Sequence, residues 1–344
     1  MPTAVRFTAP GPPSVLRPVT VLETGPSAGE VLVEIRATAV NHLDLDERDG
    51  TSGFDVTPTG QLGREGAGVV SELGPGARGW RVGDRVIVSA YPPCGSCPPC
   101  GRGWINVCER PRRPGIDTPG TYAESLVVPD RALFALPDDV DLAQGACLQL
   151  GFGTAWHGLL TRGRLRAGET VLVTGAGGGV GSAAVQVARL AGARVVAAAS
   201  TVARQELARD CGADAVVDSG TVEILAAEVR EVTGGAGVDV VFDAAAGEHL
   251  RVLIDLLRVG GRYVLYGAHA GQHAGIDALA LFRQYVEIVA SRGWQLPDIR
   301  GVIDAVEVGR LRTRIDRQLR LSEAAQAHEL LARRQVTGKV VLIP

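Results

Sequence analysis

Residues 174–182 read TGAGGGVGS, directly after an apolar run at 170–174 and directly before a helix-period run at 180–190. The apolar run, TVLVT, predicts a short buried strand, so the glycines fall at a strand-to-helix turn. Ala176, Gly178 and Gly181 fit A-x-G-x-x-G, and Gly175 completes a G-x-x-G-x-x-G register. Glycine permits such a tight turn and lets backbone N–H groups approach a pyrophosphate at the helix N-terminus. A glycine string alone equally describes a flexible turn; the strand–turn–helix setting is what points to a dinucleotide. The candidate contacts are Gly175, Ala176, Gly178, Gly179, Val180 and Gly181.

A second strand is expected at 194–199 (RVVAAA), and its end separates the two nicotinamide cofactors. NAD enzymes usually place an Asp or Glu about 20 residues past the glycines, on the ribose 2′-hydroxyl. Here residues 199–204 read ASTVAR, with no carboxylate before Glu206. The hydroxyls of Ser200 and Thr201 and the cation of Arg204 suit a 2′-phosphate, which a carboxylate would repel. The plainer alternative makes Arg204 a solvated helix residue. NADPH is the expected cofactor.

Further strands are expected at 215–217, 238–243, 262–266 and 286–289, separated mostly by helices that stop at Gly192, Gly212, Gly234–Gly235 and Gly260–Gly261. That alternation predicts an α/β fold with a doubly wound parallel sheet. Residues 1–135 differ: short runs at 31–35, 68–73 and 85–88, bounded by Gly, Pro and Asp, predict a β-rich barrel or sandwich. The last fifty residues hold two amphipathic helical patterns and a terminal strand at 340–343.

The chain has 344 residues, which suits two domains at about 150 residues each. Lys and Arg total 35 against 38 Asp and Glu, a net charge of −3 that argues against a nucleic-acid partner. With 46% hydrophobic residues the chain is not disordered. It has no stretch of the ~18 apolar residues needed to span a bilayer, and its start lacks an apolar signal core. A cytoplasmic protein with a small-molecule substrate is expected. All basic residues except Lys339 are Arg. One near-terminal lysine argues against a Walker loop and against Schiff-base chemistry.

Cys94, Cys97, Cys100 and Cys108 follow C-x2-C-x2-C-x7-C, interleaved with Gly and Pro. Such spacing lets four thiolates converge on one tetrahedral Zn2+, a closed structural site that cannot activate water. Disulfides, disfavoured in the cytosol, and an iron–sulfur cluster are the alternatives. Cys147 and Cys211 read as small buried hydrophobes.

With these features the chain resembles the medium-chain dehydrogenase/reductase superfamily, that of zinc-type alcohol dehydrogenases and quinone oxidoreductases. The resemblance runs through AVNHLDLDERDG (39–50), GREGAGVV (63–70), the four-cysteine segment, GTYAESLVV (120–128) and GTAWHGL (153–159). It continues through GAGGGVG (175–181), CGAD (211–214), VFDAAAG (241–247) and GKVVL (338–342). It implies a GroES-like catalytic domain at 1–151 and 295–344, with a structural zinc lobe at 91–110, and a Rossmann domain at 152–294. It also implies cofactor contacts from Thr154 and from Gly267 and Ala268, and a homodimer paired through the last sheet strand near 286–290.

The departures from the family matter as much. Its alcohol dehydrogenases hold a catalytic zinc through a Cys, a His and a second Cys, whose positions here carry Asn41, Arg64 and approximately Leu150. An amide, a cation and an alkyl chain cannot replace those ligands. A proton-relaying Ser or Thr falls at Leu43. Asp44 and Glu65 match the family but do not make a zinc site. Arg64 is expected either to hold a substrate oxygen or to pair with Asp44 or Glu65, and Asn41 either to contact substrate or nicotinamide or to cap a turn.

Without a Lewis acid, a quinone or an α,β-unsaturated carbonyl is an easier target than a simple alcohol. The expected enzyme is an NADPH-dependent quinone or enone reductase. An alcohol dehydrogenase and a non-catalytic NADPH-binding protein are the alternatives. Loops at 44–60 and 267–296, which no motif constrains, leave the substrate open.

Overall fold

A computed structural model describes residues 1–22, 24–54, 56 and 60–344, so positions 55 and 57–59 of the 44–60 loop lie outside the described residues. The chain forms two compact units, Met1–Leu150 with Ile315–Pro344, and Gly151–Arg314. The return to the first unit therefore comes at Ile315, some twenty residues later than the expected 295. The helix Leu296–Glu307 explains the shift. It buries Ile299 and Val302, sets Gly301 against the Trp156 ring, and carries Asp298, which binds His157 Nδ1 at 2.7 Å. Gln186 adds a clamp, accepting from the Arg312 N–H and donating to its carbonyl.

The sheet of the second unit runs, edge to edge, Ala215–Asp218, Arg194–Ala199, Thr170–Val173, Val238–Asp243, Leu257–Leu265 and Glu287–Ala290. All its pairings are parallel. Parallel strands covered by helices on both faces must be apolar throughout, and TVLV at the centre is wholly buried. The fifth strand begins at Leu257, ahead of the expected 262. Gly260, at φ +80°, lies inside it rather than after a helix. A register break opposite Val238 and Val240 absorbs the extra residues as a bulge. The outer strand Glu287–Ala290 is largely exposed.

The first unit is built on the long strand Glu30–Val40, paired antiparallel with Gly66–Leu73, Ser125–Pro129 and the C-terminal Lys339–Ile343. Arg85–Val88, Leu133–Ala135 and Ile315–Arg320 extend this sheet. Val33, Val70 and Val86 fill one core beneath it. A second core joins Leu45, Tyr122, Ala327 and Val340 under the helix Ala324–Ala332. Among the described residues no helix is long and apolar enough to cross a membrane.

Candidate functional site

The four cysteines converge on one point. Cys94, Cys97, Cys100 and Cys108 place their sulfurs within 4.8 Å of one another, with Cys94 and Cys100 4.0 Å apart and Cys97 and Cys108 3.8 Å apart. Those separations are nearly twice the ~2.05 Å of a disulfide. A tetrahedral ion ~2.3 Å from each sulfur spaces the sulfurs about 3.8 Å apart. The donor set thus fits a structural zinc, held by turns at Gly95 and Gly103, both at positive φ.

In the second unit the glycine residues meet strict steric demands. Gly175 has φ +60°, and Gly178 is the extended N-cap of the helix Gly179–Leu190, whose first residues are Gly179 and Val180. A Cβ on Gly181 would lie 2.1 Å from the Gly175 carbonyl oxygen. Ala176 is buried and donates its N–H to Ala198. Ser200 is exposed, and Thr201 caps the helix Val202–Asp210 by accepting from the Arg204 N–H at 3.4 Å. The Arg204 stem lies against the loop: a Cβ on Gly177 would come 2.4 Å from Arg204 Cβ. Arg204 therefore sits on the glycine turn rather than on a remote helix face.

Gly267 and Ala268 follow the fifth strand, and the N–H of His269 bonds to Ala244 in the neighbouring loop. Thr154 opens a short helix, Thr154–Trp156, packed against Gly179–Leu190. These residues except Thr154 cluster at the C-terminal ends of the strands, where open α/β sheets bind ligands. Sequence reasoning overlooked Asp243, which is fully buried. It accepts from Thr174 Oγ1 and from the Tyr263 hydroxyl at 2.5 Å each and also from the N–H groups of Ala245 and Ala246. It thereby fixes the loop that carries Ala246 at φ +53°.

In the first unit, Val340 pairs opposite Val40, so Lys339 stands at the end of the long strand. There Asn41 caps the helix His42–Asp49. Gly66 pairs opposite Thr38 of the same strand, which brings Glu65 to this point as well. Lys339 Nζ donates to Asn41 Oδ1 at 2.5 Å and to Glu65 Oε1 at 2.9 Å. Asn41 Nδ2 donates to Glu65 Oε1 at 3.2 Å and to the Ala39 carbonyl at 3.3 Å. The N–H of Leu150 donates to Glu65 Oε2 at 2.8 Å. A lysine dismissed on sequence position is thus a buried member of the cluster. The register of the last strand, which a single sequence does not reveal, puts it there.

Arg64 pairs with neither Asp44 nor Glu65. Its guanidinium donates to Glu47 Oε1 at 3.1 Å and to the Ala90 carbonyl at 3.2 Å, and lies over the Tyr91 ring. It is 1% exposed. Glu65 is already held by Lys339, Asn41 and Leu150, whereas Glu47, one helical turn after Asp44, faces Arg64. Asp44 Oδ2 accepts the Asn41 N–H at 2.8 Å. Burial pushes Asp44 up to about 6, against the pull of that N–H and of Arg64. Burial also pushes Glu47 up to about 8, although Arg64 draws it back. For Lys339 burial works downward, but the opposing pull, led by the Glu65 carboxylate, holds the ammonium above the ordinary lysine value. Burial raises the Cys147 thiol to about 12.

Three carboxylates face two cations in this cluster, so one proton on Asp44 or Glu47 makes it neutral. Among the described residues, only the four cysteines gather three or more His, Cys, Asp or Glu ligand atoms. At Asn41, Arg64 and Leu150 the donors are a lysine-bound amide, a cation and an alkyl chain, and a divalent ion does not fit them.

A family model for the alcohol dehydrogenase GroES-like domain matches residues 27–138, and one for zinc-binding dehydrogenases matches residues 179–307. An NAD-dependent alcohol dehydrogenase of Saccharolobus solfataricus is 31% identical over 353 residues, covering 99% of both chains. The solved structure of an NAD-dependent alcohol dehydrogenase is 34% identical, with a TM-score of 0.93 over 100% of both chains. A mycobacterial quinone oxidoreductase is 28% identical, with a TM-score of 0.80 over 100% of both chains.

Proposed function

The chain belongs to the medium-chain dehydrogenase/reductase superfamily of zinc-type alcohol dehydrogenases, and from that premise we propose an NADPH-dependent reductase of quinones or α,β-unsaturated carbonyls that works without a catalytic metal. The observation that carries this reading is the buried pairing of Arg64 with Glu47 at a position where a catalytic zinc would need a ligand. A cation there repels a divalent ion, and the remaining donors offer no substitute. Reducing a conjugated acceptor needs no Lewis acid, because the negative charge spreads onto a carbonyl oxygen that one or two hydrogen-bond donors can stabilise.

NADPH, when bound, supplies the hydride. Gly175, Ala176, Gly178, Gly179, Val180 and Gly181 would hold its pyrophosphate, and Ser200, Thr201 and Arg204 its 2′-phosphate. Thr154, Gly267 and Ala268 would flank the nicotinamide. Asn41 would meet the substrate oxygen, with Asp44 holding its backbone N–H and Arg64 filling the old metal position. The four cysteines would keep one structural zinc. The exposed outer strand Glu287–Ala290, beside Phe282 and Tyr285, would pair with a second copy in a cytoplasmic homodimer.

Alcohol dehydrogenase activity is the second reading, favoured by the names of the relatives. Metal analysis and an NADPH consumption screen over quinones and enones separate the two. About one zinc per chain with NADPH oxidation supports the proposal. Two zincs per chain, with alcohol-driven reduction of NAD or NADP abolished by a mild chelator, overturns it.

A further inference from the structure

We propose that Lys339, acting through Asn41, supplies the positive charge that this site uses where metal-dependent relatives hold an ion. The inference rests on the reductase reading above. Lys339 is the chain's only lysine and is 5% exposed. Its ammonium bonds directly to Asn41, at the first vacated ligand position. Through the two oxygens of Glu65 it is linked to Leu150, at the third. The guanidinium at the second position, Arg64, is already committed to Glu47 and the Ala90 carbonyl. Lys339 is therefore the cation that reaches the substrate-facing amide.

The ammonium fixes the amide's orientation. Oδ1 faces Nζ at 2.5 Å, which leaves Nδ2 as the donor end. The acceptors of Nδ2, at 3.2 and 3.3 Å, are long contacts that a substrate oxygen can displace. A cation on the amide oxygen draws electrons from the amide and strengthens its N–H groups as donors. As hydride adds to the β-carbon of an enone, the double-bond pair moves to the α-carbon and carbonyl oxygen. Charge grows on the oxygen, where the Asn41 amide can bind it, and solvent then protonates the α-carbon. Lys339 keeps its own proton throughout. It is a positioning residue, and Asn41 is the residue that touches substrate.

Because the chain has one lysine, lysine-selective ¹⁵N labelling yields a single side-chain ammonium signal. That signal should move when NADP⁺ and cyclohexenone are added together, and the response should vanish in Asn41→Ala. In turnover, Lys339→Met should lower kcat about 100-fold while the dissociation constant for NADPH stays within about twofold. Lys339→Arg should recover most of the rate. The double variant Lys339→Met/Glu65→Gln removes the uncompensated buried carboxylate, so it should regain stability but not kcat. Recovery of kcat in that double variant would make the lysine structural and overturn the inference. So would a loss of NADPH affinity matching the loss of kcat, or an ammonium signal indifferent to both additions. If the wild-type protein oxidises NADPH with no quinone or enone, the reductase reading fails and this inference with it. Wild-type turnover with an unimpaired Lys339→Met sinks the inference alone.

Discussion

The Arg64 guanidinium donates to Glu47 Oε1 at 3.1 Å, with both side chains out of contact with solvent. A guanidinium taken out of water is tolerable only with its acceptors in place, and removing the Glu47 carboxyl takes one of them from Arg64. Glu47→Ala should therefore destabilise the protein by about 3–5 kcal/mol in chemical denaturation. Arg64→Met/Glu47→Met should recover most of that loss, since an apolar pair of similar volume leaves no buried charge. A double variant no more stable than Glu47→Ala would show that the pair is not an isolated unit.

The same cluster sets a pH dependence. Burial raises Asp44 to about 6 and Glu47 to about 8, both above the ordinary carboxylate range. Between about pH 4 and pH 8 the folded chain then binds more protons at these groups than the unfolded chain does. Stability from them is present at low pH and is lost as pH rises through that window. Glu47→Gln carries no titrating proton, so its stability relative to wild type should improve steadily from pH 6 to pH 8. A constant difference in unfolding free energy across that range would contradict the sign.

Much of this was legible beforehand. The glycine turn, the helix behind it and the four-cysteine spacing are local patterns, each fixed within about fifteen residues, and the folded chain shows them where the sequence put them. Lys339 was not legible, because its role depends on which strand the C-terminus pairs with and in what register. The Arg64–Glu47 pair escaped for a related reason. Asp44 and Glu65 are nearer in motif terms, but the helix turns Glu47 toward the guanidinium and Glu65 is held elsewhere. Long-range register, rather than composition, decides the contents of this site.

The cysteine lobe should behave as a structural element. Cys97→Ser should reduce the zinc content from about one ion per chain toward zero and lower the unfolding temperature, since a structural ion contributes folding free energy directly. NADPH binding, followed by nucleotide fluorescence at low temperature, should persist, because the glycine loop belongs to the other unit. Retained zinc in Cys97→Ser would mean that the four sulfurs are not its ligands.

The outer strand predicts its own partner. Phe282 and Tyr285 are 78% and 80% exposed beside the unpaired edge Glu287–Ala290, an arrangement that invites strand pairing. Tyr285 also sits at φ +57°, a conformation that Asp tolerates better than Tyr. Tyr285→Asp should thus convert a dimer to a monomer in sedimentation without unfolding the chain. A wild-type protein that sediments as a monomer at all concentrations would exclude this interface.

The proposed preference for NADPH can be tested at Arg204, whose stem rests on Gly177. Its stem lies against the glycine turn, and the run Ala199, Ser200 and Thr201 brings no carboxylate to bind a free ribose hydroxyl. A charge-assisted contact is worth about 1.5–3 kcal/mol, so Arg204→Ala should raise the KM for NADPH about 10- to 100-fold. The KM for NADH should change little, because NADH has no phosphate for the guanidinium to bind. Arg204→Glu should go further and invert the preference, since a carboxylate repels the 2′-phosphate and can accept from the ribose hydroxyls. Steady-state kinetics with both cofactors decides the matter: equal losses for NADPH and NADH in Arg204→Ala would reduce this arginine to a packing residue of the loop.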